Sequence, residues 1–361
     1  MVSLIDKVRR LESLVRPSRP GYVIFFVTNR CNFRCNFCFY FDEIEKGQKA
    51  DELSLDEIRR IAPGIGPLMQ LSLTGGEPFL RKDFTEVTKV LLDHTHPVRV
   101  TIPTNGSLTS KTVAFLEEIL PLYPDTFFRI SFSIEGIGEE HDKLRSMPGS
   151  YKKVQESYAA ISPFRERFDN FSLECNSVFS ADSETTLINT IEHLSNEFSF
   201  DNMSVTYARG KIKDPELQKV TQERYREVNA FLESLEKKKK KGIVFPVVRG
   251  VSDVAHDILM RTEFDDEFVT PCLAGKKLLV ISETGEVRPC EILSQTMGNL
   301  RDYGYDLGTL LGEPKQNELL NWIKDTKCKC TFECAIAANV AWHPTMYPKV
   351  LAASLRNIGK S

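Results

Sequence analysis

No run of this 361-residue sequence approaches the roughly 18 apolar residues that a membrane-spanning helix needs, so no membrane partner is expected. It lacks a dominant charge as well. Forty-seven Lys and Arg stand against 50 Asp and Glu, a net charge of −3, which gives no global pull toward nucleic acid. An export signal is also missing: Leu4, Val8, Leu11 and Val15 fall at helical spacing, but Asp6, Lys7, Arg9, Arg10 and Glu12 break up any apolar stretch. The segment reads as an amphipathic helix, and a cytoplasmic location is expected. Cytosolic thiols stay reduced, so the nine cysteines argue for metal binding or catalysis rather than a disulfide framework.

What is present suffices for a large core, with 41% hydrophobic and 27% charged residues. From Tyr22 onward, short apolar runs near 22–28, 69–74, 98–103, 127–134, 171–178 and 202–208 alternate with segments of helical pattern. Such alternation predicts an α/β fold with a mainly parallel sheet, here a partial (β/α)6 TIM-like barrel followed by a cysteine-rich domain. Unusual residues gather after the strands, at the face where parallel barrels build active sites. The expected organisation is a helix over 1–20, the barrel over 21–212, a helical bridge over 213–264, a cysteine-rich domain over 265–340 and a tail over 341–361. Within the bridge, the lysine run 237–241 reads as a solvated helix end; within the cysteine-rich domain, Leu278 to Val287 reads as a hairpin around Gly285.

Cys31-Asn-Phe-Arg-Cys35-Asn-Phe-Cys38 puts three thiolates in one short loop, with no fourth ligand nearby. A structural zinc site closes its tetrahedron with four protein ligands, and a complete four-iron cluster takes four cysteines. Three leave a position open to a chelating small molecule. The alternative is a zinc knuckle completed by a distant residue. The C-x3-C-x2-C spacing, with aromatic Phe37 before the last cysteine, resembles the signature loop of the radical S-adenosylmethionine superfamily. That resemblance implies a [4Fe-4S] cluster whose fourth iron is held by S-adenosyl-L-methionine, reductive cleavage of the sulfonium, and an adenosyl radical that abstracts hydrogen. It also implies an external electron donor of flavodoxin or ferredoxin type.

Gly75-Gly76-Glu77-Pro78 closes the second strand; its glycines permit close backbone approach, and its glutamate can accept from an ammonium group. The tetrapeptide resembles the family motif that holds the methionyl amine. Thr104-Asn105-Gly106 follows strand three, and Ser133-Ile-Glu135-Gly136 follows strand four, with Arg145 beyond. By the same similarity, Ser133 and Glu135 reach the ribose or methionyl end and Arg145 pairs with the carboxylate. The family usually shows aspartate where Glu135 stands. Asn176 and Tyr207, at the ends of strands five and six, are expected adenosine neighbours. Cys175 points the other way and reads as a buried small hydrophobe, and His94 and His96 read as surface residues at a helix end.

Cys272 and Cys290 flank the hairpin, while Cys328, Cys330 and Cys334 lie in a later loop. Folding one beside the other gathers four thiolates and leaves one spare among the last three, with Cys330 and Cys334 preferred as ligands. The arrangement resembles the twitch or shortened SPASM domain of these enzymes, which implies an auxiliary [4Fe-4S] cluster; a zinc site is the alternative. Glu291 is a candidate acid or base beside it, and Trp342 to Pro348 is expected to pack on the barrel. The expected function is hydrogen abstraction and redox modification (dehydrogenation or rearrangement) of a small, sugar-like metabolite. A peptide maturase with a separate recognition partner is the second enzymatic reading, and an iron–sulfur electron-transfer scaffold the non-enzymatic one.

Overall fold

A computed structural model describes residues 19–47, 51–236 and 245–358. The expected N-terminal helix, apart from its last two residues, and the lysine run 237–241 lie outside the described residues.

Six parallel strands form in chain order: β1 Tyr22–Thr28, β2 Gln70–Gly75, β3 Arg99–Thr104, β4 Phe127–Ser133, β5 Phe171–Phe179 and β6 Asn202–Tyr207. Each lies within about a residue of its expected place, because apolar runs bounded by turn residues specify a strand strongly. Together they are the partial α/β barrel that the sequence pattern predicts.

The sheet does not end at β1. Three further strands, β7 Leu278–Ile281, β8 Glu286–Arg288 and β9 Gly298–Asn299, extend it to the order β6-β5-β4-β3-β2-β1-β7-β8-β9. β7 lies parallel to β1, with Tyr22 opposite Leu278 and Phe25 opposite Ile281, and then turns back into β8 as a hairpin. The hairpin expected of a separate cysteine-rich domain thus continues the barrel sheet. With neighbours on both edges, β1 is buried along its whole length.

Strand period separates two environments. On the helix side, Val23, Phe25, Leu71, Leu73, Val100, Ile102, Phe128, Ile130, Leu173 and Cys175 form one core with the helices Leu55–Ile65, Phe84–Thr95 and Thr109–Leu122. The inward side carries Ser72, Thr74, Thr101, Arg129, Ser131, Glu174, Asn176 and Ser204, which face a cavity. Cys175 and Asn176 fall on opposite sides, as alternation requires. A capping box of Ser54 and Glu57 starts the helix Leu55–Ile65, and Arg301 clamps the same Glu57 at 2.7 Å, tying the barrel to the C-terminal region.

After β6, helices Gln222–Glu236 and Phe245–Glu263 occupy the expected bridge. The expected tail is helical as well: Tyr347–Ile358 packs through Val350 and Ala353 on Val254 and Ile258. Trp342 lies against Gly21, where a Cβ would meet its ring at 2.4 Å. Among the described residues, no helix is long and apolar enough to cross a membrane.

Candidate active site

One continuous cavity of about 420 Å³ opens above the strand ends, a size typical of small-molecule sites. Cys31, Cys35, Cys38 and Phe37 line one side of it, and Gly75, Gly76, Thr104, Asn105, Ser133, Asn176 and Arg145 line the strand ends.

Backbone contacts to β2 and the loop after β3 fix the cysteine loop. The N–H groups of Gly76 and Glu77 donate to the carbonyls of Thr28 and Arg30 at 2.9 and 2.8 Å. The two glycines make this approach possible. At Gly75 (φ +138°) a Cβ would stand 2.0 Å from the Thr28 carbonyl oxygen, and at Gly76 it would stand 2.2 Å from that of Arg30. The close approach is therefore to the cysteine loop itself. Asn105 Nδ2 donates to Asn32 Oδ1 at 2.9 Å, and Asn32 Nδ2 donates to Ser107 Oγ at 2.9 Å, which ties the same loop to β3. Asn32 was not legible as a positioning residue, since a lone Asn between cysteines has no pattern.

Glu77 departs from its expected role. Its carboxylate is 1% exposed and turns inward, accepting from the Asn105 N–H at 2.8 Å, the Phe79 N–H at 3.3 Å and the Thr104 hydroxyl at 3.0 Å. Burial pushes it up to about 7 against these hydrogen bonds. It braces the Thr104–Asn105 turn from below, and Pro78 starts the short 3-10 turn Pro78–Leu80 behind it.

Glu135 also differs from expectation. Both of its oxygens engage Arg145: Nη2 donates at 2.6 Å, and Nε pairs with the other oxygen. Glu135 is 1% exposed and absent from the cavity wall, whereas Arg145 is on it, with Nη1 3.7 Å from Cys35 Sγ and the guanidinium 5.4 Å from the Phe37 ring centroid. The glutamate orients the arginine and the arginine faces the chamber, a fork geometry suited to a carboxylate. Asn176 is held by Thr206 and Ser204 at 3.1 and 2.9 Å, and Ser133 stands beside it in register. On β6 Thr206 and Tyr207 both border the cavity; the ring of Tyr207 also packs with Tyr225 and Phe264, and its hydroxyl donates to the Gln218 carbonyl at 2.9 Å.

Four late cysteines, Cys272, Cys290, Cys330 and Cys334, border one apolar cluster. Cys272 and Cys328 are hydrogen-bonded to each other, which raises the former thiol and lowers the latter to about 7, and Cys290 and Cys330 feel the charges of this group. Cys334 also lines the barrel cavity, accepts from the Tyr22 hydroxyl at 3.3 Å, and has Glu291 and Arg209 as its strongest charged neighbours. Cys330 interacts with Cys290 and Cys328, whereas Cys334 faces the barrel cavity. Glu291 is buried on the same wall, 3.4 Å from Arg209, which also pairs with Glu333 at 2.6 Å. His94 lies exposed near the end of its helix, with His96 capping it.

Among the described residues no three His, Cys, Asp or Glu side chains are placed to hold one metal ion, and tetrahedral zinc requires thiolates about 3.8 Å apart, given its bond lengths. A cluster takes each thiolate on a different iron and so accepts a wider set. Burial pushes the Cys31 and Cys38 thiols up to about 11 and about 12, so thiolates there need a bound cation to offset desolvation.

Residues 25–164 match the Radical SAM superfamily. The chain carries a radical SAM domain. Among curated relatives it is similar to the GTP 3',8-cyclase of Mannheimia succiniciproducens, 38% identical over 162 residues that cover 42% of this chain and 48% of that one. It is 28% identical to the GTP 3',8-cyclase of Actinobacillus succinogenes over 181 residues, 46% of this chain and 51% of the relative. The chain thus spans about half the length of the curated relatives it matches. Among solved structures it is similar to Streptococcus suis SuiB bound to S-adenosylmethionine (TM-score 0.59, 16% identical, covering 87% of this chain and 71% of that one). It is also similar to anSMEcpe with bound AdoMet (TM-score 0.58, 15% identical, 94% and 98%). At these identities the likeness is one of fold.

Proposed function

We propose that this radical SAM enzyme carries a second, auxiliary [4Fe-4S] cluster on Cys272, Cys290, Cys328 and Cys330 and modifies a small metabolite by hydrogen abstraction followed by redox change. The observation that carries this reading is the single cavity that has the early cysteine loop on one side and Glu291 and Cys334, beside the late cysteines, on another. A substrate held there meets both walls.

When bound, the first cluster supplies the electron that breaks the sulfonium of S-adenosyl-L-methionine and releases the radical that starts the reaction. The chain's own residues prepare the place. Cys31, Cys35 and Cys38 would hold the cluster, leaving one position open to the methionyl end. Arg145, set by Glu135, takes a carboxylate; Ser133 and Asn176 offer hydrogen bonds to a ribose; and Phe33 and Phe37, both buried, exclude water from the loop. Glu291, pushed up by burial, is placed to hold or release a proton near the second group.

The named substrate of the curated relatives is not carried over, because the similarity covers only about half of their lengths. Peptide modification is the second reading. It draws on structures similar in fold, SuiB bound to the precursor peptide SuiA and anSMEcpe bound to the Cp18Cys peptide. A cytoplasmic setting with a flavodoxin or ferredoxin type donor completes the proposal. The test is iron and sulfide analysis with electron paramagnetic resonance on anaerobically reconstituted protein, with and without S-adenosyl-L-methionine. Roughly eight irons, with one signal perturbed by the ligand, are expected. Roughly four would remove the auxiliary cluster, and none would overturn the whole reading.

A further inference from the structure

The deep end of the cavity and the layer directly behind it hold polar atoms that make no hydrogen bond within the fold. Strand register sets Ser72, Thr101, Arg129 and Ser172 side by side across β2, β3, β4 and β5. Three of these four carry a buried atom that makes no hydrogen bond: Thr101 Oγ1, Arg129 Nε and Ser172 Oγ. Arg99 Nε, two residues before Thr101 on the same face of β3, is a fourth. Buried donors and acceptors are nearly always paired, so four unpaired atoms on three adjacent strands call for a partner that enters from outside.

The local charge indicates what kind. Arg99 and Arg129 face a single carboxylate, that of Glu174, which stands 3.1 Å from Arg129 Nε without lying along its N–H. Asp201, the next acid toward Glu174, is occupied by Arg165 and the Leu173 N–H. Two guanidiniums against the one carboxylate of Glu174, which also accepts from Asn202, leave an excess positive charge in a partly buried place, where opposite charge is favoured strongly. Thr101 and Arg129 lie on the same cavity wall as Ser133 and the cysteine loop, so the deep end connects with the radical site. Arg129 precedes Ser133 by four residues on β4, which puts the two about 13 Å apart along the strand.

We propose that this floor is an anion subsite: the substrate carries a carboxylate or phosphate group that rests on Thr101 and Arg129 with Ser172 and Arg99 behind them, its reacting carbon lying toward the cysteine loop. This rests on the reading of the cavity as the substrate chamber, and it narrows the substrate to an anionic molecule roughly 10 Å long.

Titration calorimetry on the anaerobically reconstituted full chain tests it with inorganic phosphate in one arm and succinate in the other. One of the two anions is expected to bind, at least tenfold more weakly to Arg129→Gln, while glycerol does not bind. The anion that binds says whether phosphate or carboxylate is recognised. Thr101→Val serves where the arginine variant fails to fold. It removes one unpartnered hydroxyl and is expected to weaken the same anion severalfold without lowering the thermal midpoint of the ligand-free protein. If neither anion binds the wild type, or if both variants bind as the wild type does, the orphan atoms are satisfied by water and the proposal is overturned. The cluster signal and its response to S-adenosyl-L-methionine are read on the same samples. Their loss with anion binding intact sinks the radical reading alone, and the reverse sinks only the subsite.

Discussion

Removing the Glu135 carboxylate isolates the contribution of the pair beneath the candidate cofactor site. In Glu135→Ala the Arg145 guanidinium loses both of its carboxylate contacts while staying buried between Cys35 and Phe37. Breaking a buried pair by deleting one partner costs about 3–5 kcal/mol, because the remaining charge is left uncompensated. An unfolding entropy of about 2.1 cal/mol/K per residue gives a 361-residue chain about 0.76 kcal/mol/K, so the midpoint should fall by roughly 5 °C. Replacing both partners with apolar residues, as in Glu135→Leu with Arg145→Met, removes the uncompensated charge and should recover most of that loss. The assay is anaerobic calorimetric unfolding of the wild type, Glu135→Ala, Glu135→Leu, Arg145→Met and the double variant, paired with the response of the cluster signal to S-adenosyl-L-methionine. Loss of an orienting partner typically costs about 10- to 100-fold in affinity or activity, so Glu135→Ala should need far more ligand. A midpoint shift below about 1 °C, or a double variant as unstable as the sum of the single ones, would refute the argument.

Gly75→Ala should prevent recovery of iron-loaded protein, since its Cβ would strike the Thr28 carbonyl; Gly138→Ala, with nothing within 4 Å, should cost only backbone strain and keep its iron. His141 is fully buried, and burial holds it down to about 3 from its usual 6.5. The unfolded chain then binds the extra proton first, so stability falls as pH drops below about 6.5. Between pH 7.5 and 5.5 this amounts to about 1.4 kcal/mol, and His141→Leu should flatten that part of the curve in denaturant titrations. Cys290→Ala should lose about four irons per chain whereas Cys334→Ala keeps them; equal losses would return Cys334 to the ligand set. Cys35→Ala should abolish formation of 5′-deoxyadenosine, and retained cleavage would displace the early loop from its assigned role.

Strand positions were legible because β1 to β6 are apolar runs closed by turn residues, and local pattern decides such elements. The early cysteine loop was legible for a similar reason: its three ligands are neighbours in sequence. What lies far apart in sequence was not. Nothing in Leu278–Ile281 says that its partner is β1, and nothing in Glu77 or Glu135 says that each turns away from the cavity to brace a neighbour. Those orientations depend on which donors the fold brings near, such as the Asn105 N–H and the Arg145 guanidinium. That Cys334 accepts from Tyr22, at the far end of the chain, was likewise not readable from its neighbours in sequence. Arg129 and Glu174 read as ordinary strand alternation, and only the register of three strands shows what they share.

The pairing of β7 with β1 also bears on how the chain reaches its final form. During synthesis β1 emerges early and gains β2 on one side, but its other edge waits until Leu278–Ile281 has left the ribosome. Until then Tyr22-Val-Ile-Phe-Phe-Val27 presents an apolar, hydrogen-bond-hungry edge, the kind of strand that recruits other chains. Long-range parallel pairing of this kind is slow to form. A nascent or truncated chain ending before β7 therefore needs a holding chaperone or forms aggregates, and cluster insertion into the loop directly after β1 is best timed after release.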